Sequence, residues 1–436
     1  MTTDTISKKS LETFLTRIAI QGLAVVGNII IARALGAYGK GIFTYIGATI
    51  GLLITFTAGQ SAAVAWQFAK QKLGAKTIYA AMQRILAAVT VPVICVCIVL
   101  SVVQKSQWPL AVVAAALPFS VYNQASSGFF LARGNVRAVN MQLLITSGLF
   151  SLALILVLIV AHLGMTGLIA TWLACLIAAS IYTRLQLQRY LTAGEPHGAT
   201  PPVRDQFWFG AKVSLNALVS YLNFRIDVFI ILAMLGAKAL GIYSIGIGFG
   251  ELMWQLSRPI GMASYGKIAS GSPQEAAELT AKCMRHAIGM VLVGSVLIYF
   301  FAPTLITLVY GKQFASAGVV VRLLLPGIIM YSAMPILSTY FTQNMSRPTV
   351  PLVFSAVSAV LCALITVLTV RTLGIMGGAI ATSLSYIVAF SAASWFFIRT
   401  TGISAKSMFI LGPEDLREYA ALLSAVWRRA AHMFAR

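Results

Sequence analysis

The chain has 436 residues, of which 59% are hydrophobic and only 10% are charged, and its mean hydropathy is +0.86. A water-soluble globular domain carries about 25% charged residues, so this composition excludes that class of protein. The formal net charge is +21, but the sequence holds no polar module with a basic face, and we predict no nucleic-acid partner. Five cysteines form no Cys-x-x-Cys pair, which favours small apolar core residues over a metal site or a disulfide framework.

Apolar stretches of about 20 residues, each long enough to cross a hydrocarbon core of about 30 Å, recur along the whole sequence. We predict six spans in each half of the chain. They cover residues 11–34, 41–66, 80–103, 108–131, 138–161, 164–187, 207–235, 240–264, 284–308, 317–342, 349–370 and 375–398. The first span has no small-residue cleavage site, and we expect it to be retained rather than removed as a signal peptide.

Polar stretches divide the chain into four predicted parts. Residues 1–187 form an N-terminal six-helix lobe and residues 207–400 a C-terminal six-helix lobe. The linker at 188–206 is polar and contains prolines, and we place it in the cytoplasm. Residues 401–436 form a cytoplasmic tail, in which an amphipathic helix that begins at Pro413 lies on the anionic inner leaflet.

The sequence around Leu35 recurs 200 residues later. Leu35-Gly36-Ala37 and, after three residues, Gly41-Ile42-Phe43 match Leu235-Gly236-Ala237 and Gly241-Ile242-Tyr243. Leu163-Gly164 with Gly167 likewise resembles Leu373-Gly374 with Gly377. A membrane chain whose second half restates its first half is typical of transporters, with the substrate path between the halves.

Lysine and arginine are distributed unequally over the predicted loops. The inner loops and the two tails hold twenty-one of these residues, whereas the outer loops hold only Lys40, Lys105, Lys238, Lys312 and Arg371. The positive-inside rule therefore places both termini in the cytoplasm. Six spans per half give the two halves the same orientation, so we predict a parallel repeat with its pseudo-two-fold axis along the membrane normal.

Six plus six spans, an LGA…GI(F/Y) turn after the first and seventh spans, and an LG..G turn before the sixth and twelfth resemble the Wzx-type oligosaccharide flippases. These are the polysaccharide-biosynthesis branch of the multidrug/oligosaccharidyl-lipid/polysaccharide (MOP) exporter superfamily. The resemblance covers about residues 10–400. It implies an all-α integral membrane protein with twelve transmembrane helices in two six-helix lobes and a MATE/MOP-like fold.

The resemblance also implies a function. A protein of this branch sits in the bacterial inner (plasma) membrane and moves an undecaprenyl-diphosphate-linked oligosaccharide repeat unit to the outer leaflet by alternating access, for O-antigen, capsule or exopolysaccharide assembly. Its expected partners are the lipid-linked oligosaccharide, the bilayer, H⁺ or Na⁺ as a coupling ion, and polysaccharide polymerase or other assembly proteins. The choice between the two ions and the docking of assembly proteins stay open.

Other classes of function fit the sequence less well. Short outer loops, four histidines and the absence of a GxxxxGK[ST] phosphate loop argue against an enzyme. We predict no catalytic residue, no metal site and no cofactor. The alternative function is a MATE-type cation-coupled multidrug exporter, whose cavity is expected to be acidic and aromatic.

Charged side chains inside a membrane span cost about 2.5–3.5 kcal/mol each, so each needs a reason. Under the flippase resemblance, four arginines with a net charge of +2 over the whole set attract the substrate diphosphate, and two carboxylates carry the coupling ion. An ion pair between Arg225 and Glu251 that only fixes two helices is a structural alternative, and it stays open. The predicted substrate-binding residues are Arg17, Arg225, Arg258 and Arg322, and the predicted ion-coupling residues are Asp227 and Glu251.

Overall fold

The structure, a computed structural model, describes the backbone of residues 3–68, 74–191 and 203–412 together with Asp415. Side chains are described for the same residues, except those of 3–15 and of Arg17. Over these residues the chain is helical and contains no β-strand. Nine of its helical stretches are long and apolar enough to cross a membrane. This confirms the prediction of an all-α, multi-pass membrane protein, while the count of twelve spans stays a prediction.

The helices of the first half follow the first six predicted spans. They are α1 (Thr3–Thr55), α2 (Gly59–Trp66), α3 (Ala75–Val103), α4 (Pro109–Ala132), α5 (Val136–Leu143), α6 (Phe150–Leu154) and α7 (Gly164–Leu191). The second predicted span is divided between α1 and α2 by a turn at 56–58. In the fifth, π-helical turns at Leu144–Leu149 and Ile155–Val160 continue α5 and α6.

The helices of the second half are longer than the predicted spans. They are α8 (Val203–Ser270), α9 (Pro273–Tyr310), α10 (Ala317–Tyr331), α11 (Met334–Thr339), α12 (Thr349–Leu373), α13 (Ile375–Thr401) and α14 (Ala405–Phe409). Helix α9 begins before its apolar part because Ser272 and Glu275 form a capping box. The Glu275 N–H donates to Ser272 Oγ at 3.4 Å, and the Ser272 N–H donates to Glu275 Oε2 at 3.1 Å. Pro273 then occupies the first helical position.

Glycines of the sequence repeat redirect the backbone at the two predicted outer turns. Gly36 has φ/ψ of 66°/−173° inside α1, and Gly236 has 80°/178° inside α8. Residues other than glycine rarely adopt this backbone conformation. At the first turn, the N–H of Ala37 leaves the helical ladder and donates to Gln313 Oε1 at 3.3 Å. Each long helix is therefore two helical segments joined at a repeat glycine, as the predicted spans require.

A second pair of repeat glycines brings the two turns into backbone contact. A Cβ atom on Gly41 would overlap the carbonyl oxygen of Ala237, and a Cβ atom on Gly241 would overlap that of Ala37. Such reciprocal contacts are what a two-fold relation produces locally. The pseudo-two-fold relation of the complete lobes stays a prediction.

Gly41→Ala is therefore expected to destabilise the protein. The new methyl group meets backbone that cannot rotate away, and overpacking of this kind costs about 1–3 kcal/mol. Gly47→Ala is the matched control, because a Cβ atom there meets nothing within 4 Å. Thermal melting of the purified variants in detergent compares the two, and equal midpoints would contradict the close approach.

Contacts between residues group the chain into two compact units. The first unit comprises Met1–Ile245, Pro303–Gly318 and Ala363–Gly378, and the second comprises Gly246–Ala302, Val319–Cys362 and Ala379–Arg436. The bounds of these units differ from the predicted boundaries at residues 187, 206 and 400. It does not test them, and the predicted division into two lobes, a linker and a tail stays a prediction.

An ion-pair cluster fixes the segment after α13 to α9 in the second unit. The Arg285 Nη2 donates to Asp415 Oδ1 at 2.8 Å, and its Nη1 donates to the carbonyl of Ser407 at 2.8 Å. The Gly412 N–H donates to Asp415 Oδ2 at 2.7 Å, and His286 Nε2 lies 3.4 Å from Oδ1. Apart from Asp415, the predicted amphipathic helix of the tail lies outside the described residues.

This cluster makes the docked segment sensitive to acid. Burial alone would raise the pKa of Asp415, but the Gly412 N–H and the Arg285 guanidinium outweigh burial and hold the pKa below its usual value. A carboxyl with a lowered pKa stabilises the docked state at neutral pH, and this contribution is lost as the pH falls through the lowered pKa.

We expect Asp415→Asn to speed amide hydrogen exchange in residues 404–412 at neutral pH. The unmodified protein should show the same increase only below about pH 4, near the ordinary value for aspartate. Glu275→Gln removes a carboxylate at the exposed start of the same helix and should leave this segment unchanged. Exchange that is fast at neutral pH in the unmodified protein would contradict the docking.

Candidate functional site

Asp227 is the most buried of the predicted site residues whose side chains are described. It is 2% exposed, and the hydroxyl of Tyr243 donates to its Oδ2 at 2.5 Å. The N–H of Val228 donates to Oδ1 at 2.8 Å. Asp227 precedes the turn at Gly236 by nine residues, which places it about 13 Å along the helix from that turn. A carboxylate at this depth needs such donors, because an unsatisfied buried charge is costly.

Lys40 is a buried cation, although we predicted it to lie in an outer loop. The helix resumes directly after Gly36, and Lys40 therefore lies in its first turn, only 7% exposed. The Lys40 ammonium donates to Asn28 Oδ1 at 2.8 Å. It also lies close enough to Arg225 for their like charges to interact. Two cations thus occur near each other inside the first unit.

The polar contacts of the two repeat copies differ. Asn28 and Lys40 in the first copy correspond to Val228 and Leu240 in the second, both of which are buried and apolar. Conversely, Asp227 and Tyr243 correspond to Gly27 and Phe43. The Phe43 ring packs against Trp172 at 5.9 Å between centroids. Each hairpin therefore has a polar side-chain hydrogen bond at positions where the other hairpin is apolar, and the bond of the second hairpin is buried.

Glu251 and Arg258 lie on α8 within the second unit. Residues 251, 254, 255 and 258 follow helical spacing and share one side of the helix. Glu251 is half-buried, and the exposed Arg258 donates through Nη1 to Gln255 Oε1 at 3.2 Å. Trp254 fixes this side of the helix, because its Nε1 donates to the carbonyl of Ile328 at 3.2 Å.

Of the predicted substrate-binding residues Arg322 and Arg17, the structure describes the side chain of Arg322 alone. Arg322 donates through Nε to the carbonyl of Tyr299 at 2.9 Å, and its guanidinium lies 4.9 Å from the centre of the Tyr299 ring. The exposed rings of Tyr299, Phe300 and Phe301 are typical of an interfacial aromatic belt. The side chain of Arg17 lies outside the described residues. The substrate role of both arginines stays a prediction.

The structure brings Asp227 together with Tyr243 in the first unit, where the charges of Lys40 and Arg225 also interact. Arg225 and Glu251 belong to different units, so the ion pair between them and the alternative substrate role of Arg225 both stay open. Lys40 and Tyr243 were missed by sequence reasoning. The signal for both was the repeat itself, because each is a polar residue where the other copy has a leucine or a phenylalanine.

Acidic residues are distributed unequally along the chain. From Thr13 to Gly194 the sequence contains no Asp or Glu. Cations of this half therefore use other acceptors: Arg33 donates through Nε to the carbonyl of Val309 at 2.6 Å. Arg133 lies 5.0 Å from the centre of the Tyr190 ring. The segment from Thr13 to Gly194 therefore supplies positive charge and contributes no carboxylate of its own.

The fold resembles that of solved membrane transporters. It matches the lipid II flippase MurJ in an inward closed conformation with a TM-score of 0.71 and 11% identity, covering 91% of this chain and 89% of that chain. It matches an inward-facing multidrug resistance MATE family transporter of the MOP superfamily with a TM-score of 0.64 and 16% identity, covering 90% and 99%. A MOP superfamily transporter from Pyrococcus furiosus, described by a binding pocket of reverse polarity, gives 0.58 and 14%, covering 90% and 94%.

These matches show the fold: the chain has the fold of MOP-superfamily transporters, which confirms the predicted MATE/MOP-like architecture. Residues 6–270 match the model of a family described as polysaccharide biosynthesis protein. The match covers more than half of the chain, and the chain belongs to this family. A comparison with the sequences of curated proteins finds no match. The structural relatives are described as transporters and a flippase.

Proposed function

We propose that this protein flips an undecaprenyl-diphosphate-linked oligosaccharide repeat unit from the cytoplasmic to the outer leaflet of a bacterial inner membrane. The oligosaccharide then serves surface polysaccharide assembly. Both termini lie in the cytoplasm, and the two lobes alternate access to a central path. Membership of the polysaccharide biosynthesis protein family supports this proposal, as does the basic excess of the predicted inner loops.

One observation carries the choice of an anionic substrate. Lys40 is buried in the first unit, where its charge interacts unfavourably with that of the half-buried Arg225, and the chain from Thr13 to Gly194 contributes no carboxylate. Two neighbouring cations in a poorly solvated site attract a diphosphate and repel an organic cation. A multidrug exporter of organic cations would need the opposite polarity.

The proposed roles follow from the chemistry of each side chain. Arg225 binds diphosphate oxygens through two parallel N–H groups, and Lys40 adds a point charge beside it. Arg258 and Arg17 attract the substrate on the cytoplasmic side, and Arg322 does so in its own span. Asp227, with Tyr243 as its hydrogen-bond donor, and Glu251 exchange the coupling H⁺ or Na⁺.

A deletion strain tests this function. We expect it to lose its surface polysaccharide and to accumulate lipid-linked precursor, with both defects reversed by the intact gene. A second strain, which also lacks the enzyme that places the first sugar on the lipid carrier, is the control and should accumulate no precursor. A deletion strain that keeps its polysaccharide, accumulates no precursor and becomes sensitive to cationic drugs would support the multidrug alternative instead.

A further inference from the structure

The first unit has a shallow apolar groove on its surface, between α4 and α7. Its volume is about 250 Å³, and its lining residues are Phe119, Ile177, Ser180, Ile181, Arg184 and Leu185. Ile177, Ile181 and Leu185 repeat every fourth residue and are exposed. Ser180 adds no polar group, because its hydroxyl donates to the carbonyl of Leu176 at 2.9 Å within the same helix. The groove surface is therefore hydrocarbon, and Arg184 contributes its aliphatic stem to it.

The depth of the groove fits one leaflet of the bilayer. Helix α7 begins at Gly164, at a predicted outer turn, and Arg184 follows twenty residues later, or about 30 Å along the axis. That distance equals the thickness of the hydrocarbon core, so Arg184 reaches the level of the inner headgroups. From Arg184 the groove runs back to Ile177, about 10 Å into the inner leaflet.

Arg184 is oriented by an aromatic side chain and not by an acid. Its Nη1 donates to the Tyr79 hydroxyl at 2.9 Å, and its guanidinium lies 5.3 Å from the centre of the Tyr79 ring. The part of the chain that surrounds it in sequence, from Thr13 to Gly194, has no Asp or Glu. In the described residues Arg184 makes no ion pair. Its remaining N–H groups are available to an external anion.

We propose that this groove binds an anionic phospholipid of the inner leaflet, with one acyl chain along Ile177, Ile181 and Leu185 and the lipid phosphate on Arg184. Charge complementarity identifies the occupant: an exposed guanidinium without a carboxylate partner, at headgroup depth, favours a lipid with net negative charge. A zwitterionic lipid offers the same chains but also a positive group that Arg184 repels. The bound lipid holds α4 and α7 together at their cytoplasmic half.

Native mass spectrometry of the full-length protein in detergent tests this site with phosphatidylglycerol and phosphatidylcholine of identical acyl chains. We expect the first phosphatidylglycerol to bind about fivefold more tightly than phosphatidylcholine, since one arginine near the surface contributes a factor of this size. Arg184→Gln should remove that preference. Ile181→Trp, which fills the groove without changing charge, should weaken binding of both lipids.

Arg189→Gln is the matched control, because it removes the same charge from the exposed last turn of the same helix outside the groove. It should leave the first lipid bound as before. Equal binding of the two lipids, equal losses in the Arg184 and Arg189 variants, or no effect of Ile181→Trp would each overturn the proposal. Full displacement of the lipid by inorganic phosphate would also overturn it, because the site would then recognise phosphate alone.

Discussion

Replacing Arg225 by alanine is expected to reduce transport strongly while the variant protein reaches the membrane in normal amounts. Arg225 and Lys40 are the two cations that the first unit holds near each other, and loss of one removes charge-assisted hydrogen bonds to the diphosphate. Bonds of this kind contribute about 1.5–3 kcal/mol, or roughly a tenfold to hundredfold loss of transport. Restoration of surface polysaccharide in the deletion strain measures the effect, with membrane levels determined by immunoblot.

Lys212→Ala provides the matched control for Arg225→Ala. Lys212 lies on the same helix and is exposed near its start, which is predicted to be cytoplasmic, where a lysine can extend to the headgroups. We expect this variant to support full polysaccharide synthesis. Loss of Arg225→Ala from the membrane, with recovery in the double variant Arg225→Ala/Glu251→Ala, would contradict the substrate role and support a structural ion pair.

Replacing Asp227 by asparagine is expected to uncouple transport from the ion gradient. The amide oxygen can still accept the Val228 N–H, and the amide NH₂ can donate to the Tyr243 hydroxyl, which also accepts. The hairpin therefore remains folded, but an amide neither binds a proton nor attracts Na⁺ as a carboxylate does. Transport in inverted membrane vesicles, with and without an imposed H⁺ or Na⁺ gradient, measures the effect. We expect the unmodified protein to respond to one gradient by about tenfold or more, and the variant to respond to neither.

Tyr243→Phe separates coupling from packing at the same site. The substitution gives the second repeat copy the residue type that the first copy has at Phe43. It also removes one hydrogen bond from the buried carboxylate of Asp227, which lowers the stability of the protein by about 1–3 kcal/mol. We expect a lower melting temperature but retained gradient dependence. Ser244→Ala, whose hydroxyl bonds only to the neighbouring Gly241 carbonyl, is the control. Gradient-dependent transport by Asp227→Asn would contradict the coupling role.

Local features of the sequence predicted most of the fold. Gly36 and Gly236 were identified as turns from their place between two apolar runs, and both have a backbone conformation that glycine favours. The end of α3 and the starts of α4, α7, α12 and α13 were predicted to within one residue, because hydrocarbon thickness limits the length of an apolar span. The start of α9 was missed, since its first residues are amphipathic and lie before the apolar part that defines a span.

The site was less predictable because its contacts join distant residues. Lys40 was read as a loop charge, and only the direction of the backbone after Gly36 shows that its ammonium returns to Asn28. The bond between Asp227 and Tyr243 depends on a single hydroxyl in a residue that otherwise matches Phe43. Docking of Asp415 on Arg285 joins residues 130 apart in sequence, and no local pattern indicates it.

Translocation of a lipid-linked oligosaccharide by the purified protein in proteoliposomes tests the central claim most directly. Polyprenyl-diphosphate-linked oligosaccharide is placed in one leaflet, and its appearance in the other is followed by a sugar-binding reagent that cannot cross the membrane. We predict translocation by the unmodified protein, near-background transfer by Arg225→Ala, and full transfer by Lys212→Ala. Uptake of an organic cation without any transfer of the oligosaccharide would contradict the account.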